Sequence, residues 1–298
     1  MNNYTTSYFS LITLFIVIVI VIIIIIIYKN SLNNKNKITS HNKLLVVTYE
    51  TDANNPHVNN LRKMLEKNNY NYTILGNETL WQGWYGRSVS YITYLNTLED
   101  NIYILLCDGR DVIINQNNTI FLQKALELRK KNNNKIIVGA EEGCCTYNLD
   151  DIYRAKNIDK DINFIELYKS QQKQDSLKYN NDTFYYINFG MMFGTVYEFK
   201  RLFKLLNIQH NQDDQGLLHK LYYENPDLLY IDHNQELFSN IINDIYTKNT
   251  CYFSYDTNTR CFKNNRTNTY PSIIHTAGKF WDCYKYIVNK LIVDPIYV

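Results

Sequence analysis

From Leu44 to Ala140 the chain alternates short apolar runs with segments whose apolar residues recur at helical spacing, and this alternation constrains the fold most. Leu44-Leu45-Val46-Val47-Thr48 is a continuous apolar run of the kind found in strands buried on both faces. After Pro56, Val58, Leu61, Met64 and Leu65 recur with a helical period, and Tyr72 to Leu75 reads as a second strand. A helix is expected over Arg87–Leu98 and a strand over Ile102–Cys107. A helix marked by Phe121, Leu122, Ala125, Leu126 and Leu128 follows, then a strand over Ile136–Ala140. Strand and helix exchanging in this way predict an α/β fold, a parallel sheet with helices on both faces.

The second half is less regular. Tyr185–Asn188, Leu229–Asp232 and Ile273-Ile274 read as strands, Val196–Asn207 and Gly216–Tyr223 as helices, and Lys285–Val298 as a terminal helix. Asp150–Lys178 is polar and charged, a cover for the sheet or a flap.

The chain has 298 residues and a formal net charge of +2, with Lys and Arg in no single stripe, so no nucleic-acid surface is expected. Residues 9–28 form an Ile/Val-rich run, uncharged from Phe9 to Ile27 and long enough for a hydrocarbon core. Residues 1–8 are then an N-terminal tail, 9–28 a single transmembrane anchor, 29–42 a polar stalk and 43–298 the globular domain. No Lys or Arg precedes the anchor, whereas Lys29, Lys35, Lys37 and Lys43 follow it, which favours a cytosolic domain. Sequons at Asn71, Asn77, Asn117, Asn181 and Asn265 suit a lumenal domain of endoplasmic reticulum or Golgi type, so orientation stays open. Six cysteines contain no C-x-x-C pair, which argues against a structural zinc site. Cys107 reads as a core residue, and Cys251 with Cys261 as a disulfide closing a short loop if the domain is lumenal.

Asp108-Gly109-Arg110-Asp111 directly follows a buried strand. Ligands of open α/β sheets bind at the carboxyl ends of strands, and paired carboxylates there suit a hard divalent cation that also meets phosphates. His275, after an apolar strand, is the third candidate ligand, and a mixed carboxylate–imidazole set favours Mn²⁺ over Mg²⁺. Gly278 would let backbone amides approach a diphosphate and Lys279 would add charge. Asn188 and Gly190 lie at a strand end, where glycine admits a ligand and the amide can bond sugar hydroxyls. Asp213 and Asp214 precede a helix, so one can cap it while the other serves as a base. Trp81-Gln82-Gly83-Trp84-Tyr85-Gly86-Arg87 reads as a loop closing over nucleotide or sugar, with Arg87 near phosphate. Glu141-Glu142 follows another strand end, facing an acceptor.

In this order, these motifs resemble the glycosyltransferase domain of the procollagen lysyl hydroxylases (the PLOD family), related to the collagen β-galactosyltransferases. The resemblance covers Lys43 to Ile292. It implies a GT-A-type, Rossmann-like fold, Mn²⁺ held by Asp108, Asp111 and His275, and UDP-glucose or UDP-galactose as donor. The implied acceptor is hydroxylysine or galactosylhydroxylysine of a collagen-like protein. It places Thr48 by the nucleotide and Gly278 and Lys279 by the diphosphate. Asn188, Gly190, Asp213 and Asp214 would surround sugar and acceptor. Arg110 stands where the family commonly has an aromatic residue, so base stacking needs its guanidinium plane. The family's animal members continue into a dioxygenase domain. No H-x-D iron motif with a distal His is evident, so lysyl hydroxylation is not expected. A glycan acceptor, or a degenerate fold serving as a binding module, are the alternatives; inversion against retention, and a homodimer, stay open.

Overall fold

The computed structural model describes residues 44–52, 54–142, 184, 186–210, 212–241, 251–277 and 280–293. The expected anchor, stalk and Asp150–Lys178 segment lie outside these residues, as do Gly278 and Lys279. Among the described residues no helix is long and apolar enough to cross a membrane.

A central sheet has the order β2-β1-β3-β6-β5-β7. Its strands are β1 (Leu44–Tyr49), β2 (Asn71–Leu75), β3 (Tyr103–Asp108), β5 (Ile136–Glu141), β6 (Tyr186–Thr195) and β7 (Leu229–Asp232). β1 pairs in parallel with β2 and β3, and β5 with β7. β6 runs antiparallel to both β3 and β5, so the sheet is mixed where the alternation pattern predicts a parallel one. The pattern ends at Ala140 and carries no information about the direction in which the chain re-enters. β6 is also longer than expected. Its segment from Asn188 through Gly194 is no strand end but the middle of a buried strand.

Alternate side chains of these strands feed two cores. Val46, Leu105, Cys107 and Phe193 point toward α1 (Pro56–Lys67), α3 (Asn118–Lys131) and α6 (Trp281–Val293). Val47, Ile104, Leu106 and Met192 point toward α2 (Gly83–Leu95), α4 (Val196–Leu206) and α5 (Asp214–Glu224). Each fully buried aliphatic or aromatic side chain contributes about 1.5–3 kcal/mol, so both faces are anchored by burial. Local signals fix the helix starts. Asn55 caps α1 ahead of Pro56, and Thr195 and Glu198 form a capping box on α4. α2 begins at Gly83, so Trp84, Tyr85 and Gly86 belong to its first turn and not to a loop.

A smaller sheet, β4-β11-β8, sits beside the first. It joins β4 (Val112–Ile114), β11 (Ile273–His275) and β8 (Phe238–Asn240), while β9 (Phe253–Asp256) and β10 (Cys261–Asn264) form a separate hairpin. Cys251 bonds Cys283 on α6, with Cα atoms 5.1 Å apart. The expected Cys251–Cys261 pair therefore does not form. Cys261 is a free, buried thiol on the hairpin, and Cys107 is a free core residue as expected.

Candidate metal centre and adjoining cleft

β3 ends at Asp108, and Asp111 immediately precedes β4. β11 lies antiparallel to β4, with His275 opposite Val112. The Thr276 amide donates to the Asp111 carbonyl at 2.9 Å and locks that register. Pairing across the small sheet thus carries His275 to the Asp111 carboxylate. His275 Nε2 lies 3.2 Å from Asp111 Oδ1 and 3.6 Å from Asp108 Oδ2. Among the described residues these three side chains form a group whose ligand atoms all lie within 4.8 Å of one another.

The chemistry of the set suits a divalent cation. Two carboxylates and one imidazole are a donor set that first-row divalent cations accept. The space is kept open by Gly190. A Cβ there would come within 2.3 Å of His275 Cε1 and 2.8 Å of Asp108 Oδ2. Burial alone would lower the His275 pKa, but Asp111 and then Asp108 and Glu141 outweigh it and hold it up at about 9.

Arg87 is buried against this group. Its Nη1 donates to Asp108 Oδ1 at 2.7 Å, its Nε to Asp214 Oδ2 at 3.2 Å, and its Nη2 also reaches Asp214. The rings of Trp84 and Phe189 cover its guanidinium at 4.5 and 4.8 Å. Arg87 therefore directs its charge at two carboxylates. Asp108 keeps its other oxygen for the cluster. Burial pushes the Asp214 carboxyl up, to about 6, against the pull of Arg87. Asp213 is the N-cap of α5 and accepts from the Gly216 amide at 2.9 Å.

Beside the cluster opens a cleft of about 370 Å³, lined by Tyr49, Glu50, Thr51, Trp81, Trp84, Arg87, Asp108, Gly109, Arg110 and Asp111. That is within the usual size range of small-ligand sites, about 300–1,000 Å³. Trp81 is half exposed at its edge and packs on Tyr49 and Trp84. Arg110 is held by a two-point fork, with Nε on Glu50 Oε2 at 2.6 Å and Nη2 on Glu50 Oε1 at 2.7 Å. Its side chain is 49% exposed while Glu50 is 6% exposed, so a buried carboxylate presents a fixed guanidinium plane to the cleft. Thr48 lies beneath it, fully buried under Gly109, and its Oγ1 has no hydrogen-bond partner among the described residues. A larger cavity of about 460 Å³ lies elsewhere, near Met64, Gln116, Tyr255 and Cys261, and no Asp, Glu or His lines it. Chemistry rather than size therefore locates the site.

Behind the cluster, Asn188 is turned inward. Its Nδ2 donates to Glu141 Oε2 at 2.7 Å and its Oδ1 accepts from the Gly190 amide at 2.8 Å. Glu141 also accepts from Gln215 Nε2 at 2.8 Å. Burial pushes its carboxyl up to about 7, against the pull of Asn188, His275 and Gln215. Glu50 and Asn240 are residues of the site that the sequence reading misses. Glu50 had one available signal, its place just past the end of a buried strand. Asn240 had none, because it follows no periodic segment.

No family profile and no curated protein matches this chain. Among solved structures, the crystal structure of a glycosyltransferase involved in the glycosylation of the major capsid of PBCV-1 is similar at 12% identity. It covers 82% of this chain and 98% of that one, with a TM-score of 0.44.

Proposed function

We propose that the chain is a divalent-metal-dependent glycosyltransferase of GT-A type that uses a UDP-sugar, glucose or galactose, as donor. The observation that carries this is the Asp108–Asp111–His275 cluster opening directly onto a cleft with a fixed planar cation and two tryptophans. Asp108, Asp111 and His275 would hold the cation, Mn²⁺ by donor chemistry. When bound, it supplies Lewis-acid charge to the departing diphosphate.

The remaining work falls to the chain's own side chains. Arg87 fixes the Asp108 carboxylate, so its free oxygen keeps one direction. Arg110, clamped by Glu50, offers its guanidinium face for stacking on a base, and Trp81 and Trp84 border the same cleft. Asp213 and Asp214 are the candidate bases for the acceptor hydroxyl. Asp213 caps α5 through the Gly216 amide and Asp214 is paired with Arg87, and both stand as candidates. Gly278 and Lys279 are proposed for the diphosphate and Thr48 for shaping the nucleotide end.

The acceptor we propose is hydroxylysine or galactosylhydroxylysine of a collagen-like protein, and it rests on the motif resemblance. The Cys251–Cys283 disulfide supports an oxidising compartment, hence a lumenal domain behind the proposed anchor at residues 9–28. Transfer of labelled glucose or galactose to a hydroxylysine-containing collagen peptide, against an oligosaccharide panel, tests the acceptor. Transfer to the oligosaccharides alone would replace it with a glycan.

A further inference from the structure

His275 has two ring nitrogens, and only one can serve a cation. Its Nε2 faces Asp111 and Asp108, and its Nδ1 faces two carboxamide oxygens, Asn240 Oδ1 at 2.9 Å and Asn188 Oδ1 at 3.0 Å. Which atom of each amide points at the ring is settled by neighbours that have no choice. The Gly190 amide can only donate, so the atom of Asn188 that meets it is oxygen. The Ala140 carbonyl can only accept, so the atom of Asn240 that meets it at 2.9 Å is nitrogen. Both oxygens are thereby left for the imidazole, and Nδ1 must carry a hydrogen.

We propose that Asn188 and Asn240 are positioning residues of the metal centre, their paired oxygens holding the Nδ1 hydrogen so that Nε2 presents its lone pair to the cation. Glu141 extends this arrangement by holding the Asn188 amide from behind. Gly139 makes room for it, since a Cβ there would lie 2.6 Å from Asn240 Nδ2. The inference rests on the metal reading above and assigns Asn188 a role different from sugar binding.

The test is Mn²⁺ affinity of the full chain by titration calorimetry, for the native protein, His275→Ala, Asn240→Leu and Asn240→Asp. Both changes at Asn240 lose the bond to Ala140, but only aspartate keeps an acceptor for Nδ1. Groups that orient a metal-bound histidine cost about 10–100-fold in affinity when removed, so Asn240→Leu should weaken binding by that factor. Asn240→Asp, which keeps the acceptor, should bind Mn²⁺ more tightly than Asn240→Leu. A purely packing role would reverse the order, favouring the apolar near-isostere. Native affinity in Asn240→Leu, or equal damage by both variants, would overturn the proposal while leaving the metal site intact if His275→Ala is impaired. Native affinity in His275→Ala would instead overturn the metal reading itself. Should the Asn240 variants not fold, nitrogen-15 NMR of the histidine-labelled native chain loaded with Zn²⁺ decides. A hydrogen on Nδ1 of His275 supports the proposal, and one on Nε2 refutes it.

Discussion

Replacing Gly190 by alanine adds one methyl group at the wall of the proposed metal centre. The glycine is not needed for backbone shape, since it is absent from the positive-φ glycines Gly76 and Gly83 and lies mid-strand in β6. It is needed for space. The new carbon would meet His275 Cε1 at 2.3 Å, and Asp108 Oδ2 and Asn188 Oδ1 each at 2.8 Å. Carbon atoms pack at about 3.5–4.0 Å, so the imidazole must retreat by about 1 Å or more. Metal–ligand distances tolerate only about 0.2 Å. Overpacking of this kind costs about 1–3 kcal/mol, which in a domain of this size lowers the melting temperature by about 2–12 °C. Displacing a ligand should exceed the cost of removing a group that only orients one, a loss of Mn²⁺ affinity of about 100-fold or more. Gly194→Ala on the same strand is the control, because its Cβ would meet Glu198 and Ile136 at 3.1 Å, away from the cluster. It should melt lower yet bind Mn²⁺ normally. Calorimetry and thermal melts read both effects. Native Mn²⁺ affinity in Gly190→Ala would mean that the cation does not sit among Asp108, Asp111 and His275.

Four further outcomes are expected. Because His275 is held at about 9, a cation must displace its proton below that pH, so Mn²⁺ affinity should rise about tenfold per pH unit from about 7 to 9 and then level off. In the metal-free protein the same raised pKa adds stability that is complete below 6.5 and lost as pH rises through about 9. A Mn²⁺ affinity independent of pH over that range would contradict the assignment. Arg110→Ala should raise the UDP-sugar KM by about 3- to 30-fold while leaving Mn²⁺ affinity unchanged, and an unaltered KM would exclude the stacking role. Cys283→Ser opens a disulfide spanning 32 positions, for which loop entropy gives a loss of about 3–4 kcal/mol. The native melt should shift similarly under reductant, and insensitivity to reductant would count against the bond.

The regions legible in the sequence are those where burial writes a period. β1, β3, β5 and α1 follow from their apolar runs, and Asp108 from its place at the end of one of them. The triplets Val112–Ile114 and Phe238–Asn240 were not legible. Three residues carry too little pattern, and they become strands only because β11 pairs with both. The reversal of β6 was hidden for a similar reason, since direction depends on how the chain returns and not on the residues of the strand. Arg87 shows the limit at a single side chain. The glycines and tryptophans before it read as a loop, but a helix starts at Gly83 and sets Arg87 against Asp108 and Asp214. The Glu50–Arg110 fork joins residues 60 positions apart and leaves no local trace.

On the proposed function, Asp108, Asp111 and His275 hold a divalent cation for UDP-sugar chemistry. Hydrolysis of UDP-glucose and UDP-galactose by the full chain, with Mn²⁺ and with chelator, native against Asp111→Ala, tests it most directly. One of these donors should turn over in the native chain with Mn²⁺, and that turnover should be abolished by chelator and by the substitution. Turnover unchanged in Asp111→Ala or in chelator would contradict it.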